Sequence, residues 1–297
     1  MPPTDETTLG QYIPLHYHFQ MLLDDARMRG FREALTHHVP LGGRVLDLGG
    51  GTGVLSYFAA QRAARVWCVE RNPELVHAAK RALARNGVAA RVEVVAADAQ
   101  TYLPPEPVDV VVCEMLHAGL LREKQVEVIA SFKQRYAQRF GRLPIFVPEA
   151  TILAVQPVHY RFTFAGYEVA VPMFFDPIGP QEGVTELGTP VVYATVEYGS
   201  TLPMRFAGDV AWTFARDVTF NALRFVTKNV LAVVVEEQRS IDWHNQYLVV
   251  PTPEAVRVRA HDEVAIRFAY KAGAEIEALV EGIAMTHAGH VRQAVAA

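Results

Sequence analysis

Between about residue 20 and residue 148, short apolar runs alternate with stretches whose apolar positions recur every three to four residues. MLLDDARMRGFREAL has the helical period. RVLDLGG reads as a short buried strand and TGVLSYFAAQRAA as a helix. RVWCVE is a second strand and PELVHAAKRALARNG a helix closed by Asn-Gly. RVEVVAAD and VDVVVCE are further strands, and KQVEVIASFKQRYAQRF is another helix. Strands apolar throughout, alternating with helices, predict a parallel sheet covered on both faces, which is a doubly wound, Rossmann-like α/β domain.

After Pro148 the period changes to two. ATILAVQPV, FTFAGYEVAV, PVVYATVEY, DVAWTFARDV, VLAVVVEEQ, QYLVV, EVAIRFAYK and EIEALVEGIAM read as β runs punctuated by Gly, Pro and Asn. They predict an antiparallel β-barrel or sandwich of about 150 residues. The boundary falls near Phe146–Ala150, giving an N-terminal α/β domain over 1–148 and a β-barrel domain over 149–297.

Composition narrows the class. Of 297 residues, 51% are hydrophobic and 20% charged, which supports a large buried core rather than a disordered chain. The net charge of −4 argues against a nucleic-acid binder with a broad basic surface. The apolar runs fall short of the roughly 20 residues a membrane helix needs. MPPTDETTLG has neither a basic nor an apolar leader segment, so a cytoplasmic protein without membrane partners is expected. Cys68 and Cys113 each sit in an apolar run and read as small core residues of a reducing compartment. His16 and His18 lack a third ligand at suitable spacing, so no metal site is expected.

VLDLGGGTG carries the strongest local signal. Asp47 ends a strand, and Gly49, Gly51 and Gly53 follow at spacing two. Such glycines let a backbone approach a ligand, and the next helix points its N–H groups at the loop. Glu70 ends the second strand, where a carboxylate can accept both ribose hydroxyls. The nicotinamide fingerprint G-x-G-x-x-G fails at Val54. A structural glycine turn is the plainer alternative. An Asp before G-x-G-x-G instead resembles the loop of class I S-adenosylmethionine (SAM) methyltransferases. In that family Asp98, after the next strand, would contact the adenine edge.

The fourth strand lacks the Asn-Pro-Pro-Tyr of base methylases. Glu114 ends it and Glu123 follows nine positions later. This spacing resembles the double-glutamate loop of protein arginine methyltransferases, with Met115, Leu116, His117 and Ala118 in place of the usual Trp-Met-Gly-Tyr. Upstream, His18 to Arg27 resembles that family's helix pattern H-x-x-M-L-x-D-x-x-R. The resemblance implies that Arg27 binds the SAM carboxylate, that His18 lies over the cofactor, and that Asp24 pairs with a loop histidine. Tyr12 matches the last Tyr of the family's N-terminal aromatic motif. Ile241-Asp242-Trp243 stands where the family has Thr-His-Trp, followed by Asn245-Gln246, and Phe146–Ala150 resembles the junction into its barrel. An Asp24–Asp242 pair would repel, so His244 is the alternative partner and register decides between them. The resemblance implies a homodimer, yet the dimerisation arm corresponds to FFDPIGPQEGVTELGTP, which is short and rich in Pro and Gly.

A guanidinium is planar, delocalised and a poor nucleophile. Two carboxylates can bind its N–H groups and draw positive charge away from the nitrogen that faces the methyl group. The resemblance therefore implies an N-methyltransferase for a guanidino acceptor, whether protein arginine, peptide, free arginine or another small compound. Glu114 and Glu123 would clamp it and Trp243 would wall it. The alternatives are methyl transfer to another amine or hydroxyl and a catalytically silent SAM-binding protein. Glu123 alone can also be read as a helix-start carboxylate favoured by the helix dipole.

Overall fold

The computed structural model describes residues 13–175, 181–287 and 290–293; Tyr12 lies outside them. Helices α1 (His18–Leu23) and α2 (Asp25–His38) precede the first strand. Then β1 (Arg44–Leu48), α3 (Val54–Ala59), β2 (Arg65–Glu70), α4 (Pro73–Arg85), β3 (Val92–Ala96), β4 (Val110–Cys113), α5 (Gln125–Phe140) and β5 (Ile145–Val147) alternate along the chain. The five strands are parallel, in the order β3-β2-β1-β4-β5. β1 and β4 are buried over nearly their whole length, which is why β4 reads as an unbroken apolar run and β1 as one interrupted only by Asp47.

Two local details differ from the periodicity. The first helical stretch is broken at Asp24, whose carboxylate accepts from Arg27 N at 2.9 Å and caps α2. α3 stops at Ala59, short of the predicted helix, because Gln61 and Arg62 close onto Phe58 and Ala59 in tight turns.

Beyond the cis Val147–Pro148 bond the chain becomes antiparallel. The strands are β6 (Ala150–Tyr160), β7 (Thr163–Phe164), β8 (Tyr167–Glu168), β9 (Met173–Phe175), β10 (Val184–Glu186), β11 (Val191–Glu197), β12 (Arg205–Thr213), β13 (Val218–Val234), β14 (Arg239–Asp242), β15 (Gln246–Val258), β16 (Glu263–Lys271), β17 (Ala284–His287) and β18 (His290–Gln293). A seven-stranded sheet runs β10-β6-β13-β15-β9, with β11 on β6 and β14 on β13. A four-stranded sheet runs β12-β16-β17-β18. They curl around one core, where Phe225 of β13 meets Phe268 of β16 edge-on at 5.1 Å.

The run EIEALVEGIAM, expected to be β, contains helix α6 (Ile276–Glu281). Ile276 and Leu279, three residues apart, bury the same helical face, and so short an apolar run carries no period of its own. The stretch corresponding to the arm begins in β9 and returns in β10 at opposite edges of the same sheet; residues 176–180 lie outside the described part. Among the described residues no helix is long and apolar enough to cross a membrane.

Candidate active site

The parallel sheet reverses its winding between β1 and β4, the position where ligands of such sheets bind at the strands' C-terminal ends. A cavity of about 390 Å³ opens there. Its floor is the turn that leaves β1. Gly51 holds φ at 54°, and a Cβ there would stand 2.8 Å from His18 Cε1, so only a bare backbone lets the imidazole lie on the turn. Gly51 N donates to Glu70 Oε2 at 3.0 Å and Asn72 N to Glu70 Oε1 at 2.7 Å, which fixes that carboxylate on the cavity wall. Gly50 is equally constrained, because a Cβ would meet Cys68 Sγ at 2.3 Å.

Two residues read as cofactor contacts stand behind this wall. Asp47 is buried beneath the turn and accepts from Ser56 Oγ at 2.6 Å. Burial pushes its carboxyl up to about 7, with the Ser56 hydrogen bond pulling the other way. Gly53 gives α4 room, since a Cβ would press on Leu83 at 3.1 Å. Both shape the turn, and among the described residues neither lines the cavity, whereas Gly49 and Gly51 do. Asp98 lies on the wall beyond β3, accepts from Gln100 N at 2.7 Å and sits 3.8 Å from Arg71.

Arg27 and His18 roof the same space. The Arg27 guanidinium pairs with the Glu114 carboxylate and lies 5.2 Å over the Trp243 ring. Arg27 Nε and His18 Nε2 are buried with no hydrogen-bond partner. Burial, then Arg27, lowers the His18 pKa and favours a neutral imidazole. Two unpaired polar atoms above a bare glycine turn, beside a carboxylate, fit a polar, zwitterionic cofactor such as SAM.

Glu114 is the first residue after β4. Burial raises its carboxyl, and Arg27 draws it back only in part. Glu123 lines the cavity on the other side of the loop, its carboxyl pushed up to about 8 by burial first and by Glu114 second. The two carboxylates are therefore electrostatic neighbours. The loop between them is strained, with Leu120 and Arg122 at φ of 54° and 59°. Such residues cost about 1–3 kcal/mol each and persist where the surroundings hold them. Here the barrel does so. Gly119 N donates to Thr227 Oγ1 at 2.6 Å, Tyr270 OH to Gly119 O at 2.9 Å, Gly273 N to Leu120 O and Arg122 N to Ala274 O.

Gln125, which the sequence reading passed over, ties the loop to the sheet. Its buried amide donates to Cys113 O at 2.8 Å and accepts from Met115 N at 2.9 Å. A Gln in the first turn of an apolar helix, directly after the second Glu, is the signal that would have found it.

Asp24 collects three partners. Besides capping α2, it accepts from Trp243 Nε1 at 3.0 Å and lies 3.2 Å from His244 Nε2. Asp242 does not face it; Asp242 pairs with Lys228 at 2.7 Å on β13. The side chain that meets Asp24 is thus the histidine after Trp243, not the aspartate before it.

The chain is similar to known proteins in sequence and in fold. A methyltransferase-domain family model matches residues 45–137. The chain is 33% identical over 195 residues to an uncharacterised protein of Methanothermobacter thermautotrophicus, covering 65% of this chain and 70% of that one. It is 35% identical over 142 residues to the arginine N(omega)-methyltransferase of Streptomyces achromogenes, covering 46% of this chain and 38% of that enzyme. In fold it is similar to a chain of the Trypanosoma brucei PRMT1 enzyme–prozyme heterotetrameric complex with AdoHcy, with a TM-score of 0.71, 16% identity and coverage of 94% and 97%.

Proposed function

Because the chain belongs to the class I SAM-dependent methyltransferases and resembles the protein arginine methyltransferases within them, we propose that it methylates an arginine-type guanidinium clamped by Glu114 and Glu123. SAM is the cofactor, and it supplies an electrophilic methyl group on a sulfonium. The residues placed to hold it are the Gly49–Gly51 turn, Glu70, Asp98, His18 and Arg27, all on one cavity. The observation that carries the guanidine reading is that both carboxylates face that cavity within reach of each other's charge.

Glu114, already shared with Arg27, offers its second oxygen to the acceptor, and Glu123 offers two. In a buried site such charge-assisted hydrogen bonds are strong, and no solvent has to reorganise around them. Bound this way the guanidinium keeps its lone-pair density on the nitrogen left free. Trp243, fixed by Asp24, closes one side and excludes water. Methylation leaves one proton in excess, and a Glu123 oxygen already hydrogen-bonded to the group is placed to take it. Positioning of this kind supplies about 7–11 kcal/mol in well-oriented systems.

The test is acceptor profiling with methyl-labelled SAM, offering free arginine, small guanidino compounds and arginine-rich peptides beside lysine and hydroxyl acceptors. Glu114→Gln and Glu123→Gln are each expected to abolish transfer to the guanidine while SAM still binds. Full activity in either variant, or transfer to a non-guanidine alone, overturns the proposal.

A further inference from the structure

One polar atom of the cavity is not accounted for by the cofactor residues or by the two carboxylates. Gln246 heads β15 and lines the cavity together with Glu114, Glu123 and Trp243. Its Oε1 is shut off from solvent and has no hydrogen-bond partner. Buried carbonyl oxygens are nearly always paired, so an orphan on a residue that lines a ligand cavity calls for a donor, which a bound ligand can bring once the amide turns toward it. The side chain is also well registered. Gln246 pairs in the sheet with Thr227, whose hydroxyl accepts from Gly119 N of the acceptor loop. The amide and the loop bearing both glutamates are therefore anchored to the same strand, β13.

Counting donors indicates what the oxygen serves. An alkylguanidinium carries five N–H bonds in one plane. Glu114 commits one oxygen to Arg27, leaving one there and two on Glu123. Those oxygens can each accept more than once, but they sit on only two side chains while the N–H bonds point around the whole plane of the cation, and an N–H buried without a partner weakens binding. A neutral carbonyl meets that need without adding a third negative charge to a site where Glu114 and Glu123 already repel.

We infer that Gln246 is a specificity-determining residue whose Oε1 accepts one N–H of the acceptor guanidinium, so that the group is read by three side chains. This rests on the guanidine reading above. Three acceptors spaced around a planar cation favour a guanidinium over a tetrahedral ammonium, whose donors do not lie in one plane.

The experiment titrates free L-arginine, or the arginine peptide if profiling selects it, into the protein saturated with S-adenosylhomocysteine. Wild type is compared with Gln246→Leu, Gln246→Met and Gln246→Glu. Leucine and methionine remove the acceptor, and the guanidine Kd is expected to rise about tenfold or more. Glutamate keeps an accepting oxygen there and, held neutral by the two neighbouring carboxyls, adds no third charge, so it is expected to hold Kd within about threefold of wild type. S-adenosylhomocysteine affinity stays the same in all four, and in turnover KM rises further than kcat falls in the Leu and Met variants. If Leu and Met bind the guanidine as wild type does, or if Glu weakens it as much as Leu, the assignment to Gln246 falls while the guanidine reading stands. If wild type binds no guanidine, that reading fails and this inference goes with it. Should Gln246→Leu not fold, the unbranched Gln246→Met decides.

Discussion

The Tyr270 hydroxyl, on the barrel strand β16, donates to the Gly119 carbonyl oxygen in the middle of the acceptor loop at 2.9 Å. Having spent its proton there, Tyr270 must accept from Tyr193, whose hydroxyl lies 2.7 Å away. The barrel thus reaches through the partly buried Tyr193 and the buried Tyr270 into the segment that separates Glu114 from Glu123. Removing the hydroxyl in Tyr270→Phe leaves Gly119 O and the Tyr193 OH without partners. The expected cost is about 1–3 kcal/mol of stability, read by denaturant unfolding. Because the glutamates are then less well held, kcat is expected to fall about tenfold or more while SAM affinity is retained. Unchanged turnover in a destabilised variant would show that the tyrosines support the core alone.

Gly50 predicts a paired result. Its backbone is not in the left-handed region, so alanine is conformationally allowed there, yet its Cβ would fall on Cys68 Sγ. Gly50→Ala is expected to lose about 1–3 kcal/mol and to weaken SAM binding by displacing the turn. Shortening the obstacle in Gly50→Ala/Cys68→Ala should recover much of both losses, giving a coupling energy well away from zero. Additive effects would place the clash elsewhere.

The elements that the sequence made legible are those whose reasons are local. The β1 turn announces itself through glycines that the backbone and His18 require, and Glu114 and Glu123 sit on one short loop. The links that complete the site span the chain. Tyr270 is 151 positions from Gly119, and Trp243 is 219 from Asp24. No spacing rule reaches that far. The partner of Asp24 was ambiguous for a related reason. The β13–β14 pairing slips between Val230 and Ala232, and that bulge sends Asp242 toward Lys228 while His244 turns to Asp24. Helix α6 was misread because six residues are too few for a period to declare itself.

That register makes a contrast between two aspartates. Asp24→Ala removes the cap of α2 and strands the Trp243 indole N–H, so about 2–4 kcal/mol is expected from the two losses together. Cofactor binding should weaken as well, because Arg27 begins the same turn of α2. Asp242→Ala removes a partly exposed pair with Lys228, worth about 0.2–1 kcal/mol. Thermal and denaturant unfolding of the two variants measure this directly. Equal costs would mean that the cap and the Trp243 hydrogen bond of Asp24 contribute no more than a partly exposed ion pair.

The Glu123 carboxyl gives the site a pH signature. Its folded value of about 8 lies above the ordinary 4.5, so the folded chain holds this proton more tightly than the unfolded chain does. The contribution to stability is therefore fully present below about 4.5 and is lost as pH rises toward 8; Asp47 acts in the same direction between 3.8 and about 7. Function runs the opposite way. A guanidinium needs Glu123 ionised, so kcat/KM is expected to climb with pH and level off above about 8. The cation itself pulls the carboxyl down, so binding near pH 7 should expel a proton. Calorimetry of acceptor binding in two buffers of different ionisation enthalpy measures that release. In Glu123→Gln the release should vanish. In Glu114→Gln, where the repelling neighbour is gone, the rise of affinity with pH should shift to lower pH. A proton release that survives Glu123→Gln would assign the titration to another group.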